Sequence, residues 1–296
     1  IFVVEMGAYK RGEIKAICEI VKPKIGIITA INQQHIELFG SIKNTQKAKY
    51  ELIESLPKDG IAIFNECNKY CLEMAKWTNK RGLKIFTYNL LTDVKNIRVF
   101  QDHIEFLWID IKESSLLKIN LLGKQAIENV LAAVYVAKSL KMTADGILRA
   151  VLKIIPPVKT MQFAGMFNGT TLVDDTFNAN PDGVLAAVEY MKIFKGKKIL
   201  VLTPLIELGD DSEIIHNNLG EKIADICDLI YLTNSNNHKS FVAGAKKAGG
   251  ERKVRIVNTL VGKKLLKENM NKDGVVVFEG KEAGRILQQL TNNNDF

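Results

Sequence analysis

Short runs of apolar, mostly β-branched residues alternate along the chain with longer stretches whose apolar positions recur every three to four residues. That alternation predicts an α/β fold with a mainly parallel sheet, because a parallel strand needs a crossover helix to bring the chain back. The first half reads as a strand over 1–5, a helix over 12–21, a strand over 24–29, a helix over 43–56 and a strand over 60–65. Between 83 and 122 the pattern changes to KIFTY, IRVF, HIEFLWI and LKINLL, joined by polar, turn-prone links, which predicts a small antiparallel insert. Helices over 126–140 and 144–153 follow.

Ile155-Pro156-Pro157 then stops the helical pattern, since proline lacks the amide donor and biases its predecessor away from helix. The domain boundary is expected there, giving domains 1–156 and 157–296. Beyond it strand–helix alternation restarts with TTLVDD, KKILVLT, LIYLT, VRIV and GVVVFEG as strands, and with helices beginning at Pro181, Ser212, Lys239 and Leu260 and a last one ending at Leu290. This is the pattern of a compact doubly wound, Rossmann-like domain.

Composition changes the picture little. Of 296 residues, 47% are hydrophobic and 25% charged, and no apolar run approaches the roughly 20 residues that span a bilayer. No membrane span is expected. The opening IFVVEMGAYK has neither an initiator Met nor signal-peptide grammar, so upstream sequence is expected to be missing. Cys18, Cys67, Cys71 and Cys227 make no zinc set, although Cys67 and Cys71 are read on one helix; free thiols in a reducing cytoplasm are expected. The net charge of +8 comes from scattered lysines with no dense basic run, which speaks against a nucleic-acid footprint and suits anionic nucleotide substrates, although charge alone does not decide between them.

Ligands of open parallel sheets collect at the carboxyl ends of strands. Glu5 ends the first run before Met6-Gly7-Ala8, where a carboxylate can hold magnesium or simply cap a helix. His35 lies just past the strand over 24–29, and Lys49 near the first turns of the next helix; both types are more often structural or solvated. LVDDTFNANPDG is the most informative stretch: a buried strand ends in two acids, a loop carries Asn178 and Asn180, and Pro181 opens a helix. Carboxamides and an acid there suit a base and ribose, against a competing reading as turn and cap residues. TPLIELGDDSEIIH brings Glu207, Gly209 and His216 toward the same edge.

In order, VVEMGAYKRGEI, ITAINQQHIELFGS, KAKYELI, GKQAIENVLAA, VDDTFNANPDGVLAA and VLTPLIELGDDSEIIH resemble the Mur ligase family over nearly the whole chain, most closely its D-alanyl-D-alanine-adding branch. The resemblance implies a central ATPase domain, a parallel sheet with a small antiparallel insert, followed by a Rossmann-like C-terminal domain that closes over the nucleotide. It implies ATP and Mg2+ as cofactors. A UDP-linked muramoyl peptide and D-alanyl-D-alanine would be the substrates of a cytoplasmic, monomeric amide ligase of peptidoglycan synthesis working through an acyl phosphate. By the same resemblance Glu5 and His35 match metal-associated residues. Lys49 matches a lysine that, if carbamylated, helps place a second metal, and Lys49 and His35 become the catalytic candidates. Asn129 matches an adenine contact, and Asp175, Asn178 and Asn180 a nucleotide-facing loop.

The family's P-loop, G-x-x-x-x-G-K-[ST], does not occur in these residues, which fits missing upstream sequence. Other departures are Ala30-Ile31-Asn32 before the histidine, Gln125-Ala126 for a His-Asn pair, Lys159-Thr160 for Gly-Arg, Thr203-Pro204 after VL, and Glu279-Gly280-Lys281 for Lys-Gly-Ser. They keep two alternatives open: a divergent Mur-type ligase with another acid and amine, and a catalytically silent nucleotide-binding protein.

Overall fold

The computed structural model describes residues 1–32, 36–110 and 114–292. The chain divides into two compact units: Ile1–Arg98, Glu105–Ile119 and Gln125–Lys153 in one, and Val99–Ile104, Asn120–Lys124 and Ile154–Phe296 in the other. Among the described residues, no helix is long and apolar enough to cross a membrane.

In the first unit, α1 (Glu13–Val21) leads to β1 (Ile25–Ile28), a one-turn α2 (Ile36–Phe39), α3 (Ile42–Glu54), β2 (Ile61–Asn65), α4 (Lys69–Thr78) and β3 (Lys84–Tyr88). The three strands pair in that order, all parallel, with Ile25 opposite Ile61 and Ile61 opposite Lys84. On one face Ile28, Ala62 and Phe64 pack with Tyr50 and Ile53 of α3 and with Cys71 and Met74 of α4. A separate sheet holds β4 (Val94–Val99), β5 (Ile104–Ile109) and β6 (Ser114–Ile119) in chain order. Links that short leave no room for a crossover, so this is the antiparallel insert. Then α5 (Ala126–Ser139) packs on β2 and β3, and α6 (Ala144–Val151) closes the unit.

Three expectations for this unit are corrected. KIFTY belongs to the parallel sheet, because α4 supplies a full crossover before it; the insert begins only at β4. Residues 1–5 form no strand: β1 pairs only with β2 among the described residues, and Ile1, Phe2 and Val3 stay 103%, 82% and 87% exposed. An extended segment becomes a strand only through a ladder partner. Cys67 precedes α4 and is exposed, whereas Cys71 is buried within it.

The N-terminal segment is nevertheless anchored. Cys18 Sγ lies 3.7 Å from Met6 Sδ, and the Glu51 carboxylate accepts from Gly12 N at 2.8 and 2.9 Å and from Lys15 N at 3.2 Å. Glu51, only 6% exposed, thereby satisfies orphan amides at the start of α1.

The second unit contains β7 (Gln162–Phe167), β8 (Thr170–Asp175), α7 (Pro181–Met191), β9 (Lys198–Leu202), α8 (Ser212–Ile226), β10 (Leu229–Leu232), α9 (His238–Lys247), β11 (Val254–Ile256), α10 (Thr259–Asn269), β12 (Val275–Glu279) and α11 (Lys281–Thr291). Its six strands run in the order β11-β10-β9-β12-β8-β7, parallel except for the β7–β8 pair. Strand β7 escaped the sequence reading because a bulge between Phe163 and Gly165 breaks its alternation. Residues such as Val173, Leu200 and Val277 face α7, α8 and α9; Leu172, Val201 and Val276 face α10 and α11. Buried on both faces, these strands read as unbroken apolar runs.

Helices α8 and α9 cross unusually close. A β-carbon on Gly220 would sit 2.0 Å from Phe241 O, and one on Gly244 1.8 Å from Asn217 O, so only glycine fits either place. The chain passes from β8 to β9, goes outward to β11, and returns to insert β12 between them. That reversal puts a crevice at the carboxyl ends of β8, β9 and β12.

Candidate functional site

In the first unit a cavity of about 650 Å³ is lined by the segment bearing Ile1 to Met6, by β1 and by Lys49 and Leu52 of α3. Glu5 and Lys49 both line it. Burial pulls the Lys49 ammonium below its ordinary range, and the Glu5 carboxylate partly offsets that pull. Lys49 lies beyond the middle of α3 rather than in its first turns. His35 lies outside the described residues.

Around the carboxyl ends of β2 and β3 is a polar cluster absent from the sequence reading. Asn65, 3% exposed, donates Nδ2–H to Glu128 Oε2 at 2.6 Å and accepts from Cys67 N at 2.9 Å. Asn68 caps α4, accepting from Tyr70 N and Cys71 N, and its Nδ2 reaches Ile31 O. Burial pushes the Cys71 thiol up to about 12, so it stays a protonated core group rather than a nucleophile. Asn129, next to Glu128 in the opening turn of α5, is exposed.

For a divalent cation the donor chemistry is suitable but sparse. Glu5 supplies one carboxylate, a carbamate on Lys49 would supply another, and the described residues contain no group of three ligating side chains. Magnesium keeps much of its shell as water and phosphate oxygen, so one or two carboxylates fit it.

In the second unit the crevice gathers Asp175, the loop after it, Thr203 and the start of α11. Asn180 is the N-cap of α7, accepting from Gly183 N at 3.0 Å, with Pro181 following. Its oxygen therefore does the capping work that the plainer reading foresaw. Asn178 is exposed on the loop, and Asp175 is buried beneath it, accepting from Met161 N at 3.1 Å. Thr203 Oγ1 accepts from Glu282 N and Ala283 N, both at 3.1 Å, and caps α11. Glu282 Oε2 accepts from Thr233 Oγ1 at 2.6 Å and Asn234 Nδ2 at 2.8 Å, bonds that hold its carboxyl below the usual range. His216 is a support rather than a ligand. Its Nε2 accepts from Leu205 N at 3.1 Å and its Nδ1–H donates to Ser212 O at 2.7 Å, fixing the loop after β9.

Asn129 in the first unit and Asn178 in the second each present an exposed carboxamide.

Residues 1–137 match the Mur ligase middle domain, and residues 161–282 match the domain described as Mur ligase, glutamate ligase domain. The chain is 31% identical over 228 residues to UDP-N-acetylmuramoyl-tripeptide--D-alanyl-D-alanine ligase of Escherichia coli (strain K12), covering 74% of this chain and 49% of that protein. It is 25% identical to the enzyme of the same name from Bacillus subtilis (strain 168), covering 99% and 64%. Of solved structures, MurF from Acinetobacter baumannii superposes with a TM-score of 0.87 at 23% identity, over 97% of this chain and 64% of that one. MurF ligase from Thermotoga maritima in complex with ADP gives 0.82 at 20%, over 97% and 66%. At those identities the structures establish a shared fold. The chain spans about half to two thirds of the length of these relatives, from 49% to 66%.

Proposed function

Because this chain belongs to the Mur ligase family, we propose that it forms the central and C-terminal parts of an ATP-dependent amide ligase adding D-alanyl-D-alanine to a UDP-N-acetylmuramoyl-tripeptide. The observation that carries the chemistry is Lys49, desolvated in one cavity with Glu5. Carbon dioxide adds only to a neutral amine, forming the N–C bond as the amine proton leaves, so a lowered ammonium pKa favours the carbamate. The carbamate and Glu5 would together offer oxygen ligands to Mg2+, with His35 as the third expected metal-associated group. Asn129 in the first unit and, separately, Asn178 with the Asp175-supported loop in the second are the residues assigned to nucleotide contact.

ATP, when bound, supplies the phosphoryl group that turns the tripeptide carboxylate into an acyl phosphate. The dipeptide amine then attacks that carbonyl, the C–O bond to phosphate breaks, and the amine proton leaves. This chain's residues contribute by positioning the reactants and offsetting phosphate charge. In the intact enzyme, Glu5→Ala should abolish ATP-dependent ligation while the fold persists; unchanged turnover would remove Glu5 from the site. These 296 residues alone should not hydrolyse ATP efficiently, because they lack the phosphate cradle. Robust turnover from them would place the nucleotide site elsewhere.

A second reading, a Mur-type ligase joining another acid and amine, is favoured by Lys159-Thr160 and by the acid at position 279, where the sequence departs from the family pattern. ADP release measured across candidate acids and amines separates the two.

A further inference from the structure

Asp175 and Glu279 are register partners on the parallel neighbours β8 and β12, each the last residue of its strand. They are 9% and 1% exposed. Two adjacent carboxylates out of water cannot both carry charge without a large penalty. Their carboxyl groups are close enough to act on each other, and ionised carboxylates only accept, so a hydrogen bond between them requires a proton. Asp175 Oδ1 also accepts from Met161 N, whereas Glu279 Oε1 has no partner among the described residues.

The surroundings favour Glu279 as the proton's home. Burial and then the Asp175 charge push Glu279 well above the usual carboxylate range. Burial also raises Asp175, but the bonds from Glu279 and Met161 pull it back down. On β8, Asp174 acts on Asp175 with like sign, and among the described residues no cation is a cause of either member's shift. Lys281, at the start of α11, and Lys159, on the segment before β7, are exposed. Glu282 is engaged with Thr233 and Asn234 and feels Arg285.

We propose that Glu279 is a positioning residue: it shares one proton with Asp175, and the bridged pair holds the 159–162 segment and the loop carrying Asn178 and Asn180 at the sheet edge. The linkage is physical. Met161 N donates to Asp175, and Phe177 N donates to Lys159 O at 3.0 Å. Lys159 and Met161 sit at φ 59° and 41°, where L side chains are strained, so the segment depends on these bonds to keep its shape. Loss of the shared proton leaves two buried negative charges under the loop and loosens it. The loop's part in nucleotide binding rests on the function proposed above; the shared proton does not.

The pH dependence follows from the sign of the shift. Between the ordinary glutamate value of 4.5 and Glu279's higher folded value, the folded chain keeps a proton that the unfolded chain has released. Stability therefore falls as pH rises through that window and levels off above it. One proton limits the fall in the folded-to-unfolded ratio to about tenfold per pH unit.

The test compares the 296-residue chain with Glu279→Gln, which keeps size and a hydrogen bond but has no proton to lose. Infrared spectra at neutral pH should show a buried protonated carboxyl in the wild type that is missing in E279Q. The wild-type unfolding midpoint should decline from pH 4.5 to 8 more steeply than that of E279Q. Amide exchange at Met161 and Phe177 should rise with pH beyond its intrinsic increase only in the wild type. Absence of the protonated band from the wild type, its survival in E279Q, or equal pH slopes would overturn the proposal. Should E279Q fail to fold, the wild-type infrared titration alone decides. None of these readouts involves nucleotide or ligation, so failure here is distinct from failure of the ligase assignment.

Discussion

His216 offers the sharpest test of how the crevice is built. Its ring is 1% exposed and supplies the acceptor for the buried Leu205 amide, while its other nitrogen donates to Ser212 O. His216→Phe keeps most of the volume but strands the Leu205 N–H, an expected loss of about 1–3 kcal/mol. His216→Ala strands the same amide and also leaves a void, for a total of about 3–5 kcal/mol. Burial, opposed by the bond to Ser212, holds the imidazole below its ordinary value of 6.5. Below that pH the unfolded chain binds a proton that the folded chain refuses, so this contribution falls as pH drops through 6.5 toward the lower folded value. Guanidinium unfolding followed by circular dichroism at pH 5, 6 and 7.5 measures both effects. The difference between wild type and H216F isolates the histidine from the opposing trend of Glu279. An H216F protein as stable as wild type at pH 7.5, or one with the same slope between pH 5 and 7.5, would refute the assignment of His216 as a neutral loop anchor.

Thr203→Ala should lower stability by about 1 kcal/mol through loss of the α11 cap, measured by the same unfolding curves. Glu51→Ala should lose about 3 kcal/mol, because one buried carboxylate serves three hydrogen bonds from two amides; a change within 0.5 kcal/mol, roughly the range of ordinary surface substitutions, would deny that role. Under 13C-labelled carbon dioxide, Lys49 should give a carbamate signal in carbon NMR that strengthens as pH rises through neutrality and is absent from Lys49→Arg. Its persistence in that variant would assign the signal to another amine.

Most strands of the second unit were legible because burial on both faces writes them as unbroken apolar runs, as in GVVVFEG and KKILVL. KIFTY was misplaced although the sequence reads as helix around Cys67 and Cys71, because as a run it looks like the short strands that follow it and nothing in it tells that its partner is β2. Residues 1–5 have the composition of a strand without its partner, and pairing is not written in a single run. At the crevice, Asn180 followed by Pro181 announced a cap, and the structure shows that cap. The Asp175–Glu279 contact lay beyond the sequence, although both buried strands visibly end in an acid; which strands become neighbours is decided by the return of β12 into the middle of the sheet. Asn65 and Glu128 were hidden for the same reason, being 63 positions apart.

The glycine crossing of α8 and α9 sets a tolerance for the whole outer edge of the second unit. With hydrogen atoms alone between the two backbones, neither rod can slide or roll without collision, and Asn217 Nδ2 bonded to Ser240 O pins the same spot. Strand β10 is strung between those two rods, so Thr233 and Asn234 are delivered to Glu282 at a fixed offset. A methyl group on either glycine would therefore be felt at a hydroxyl and a carboxamide that it never touches.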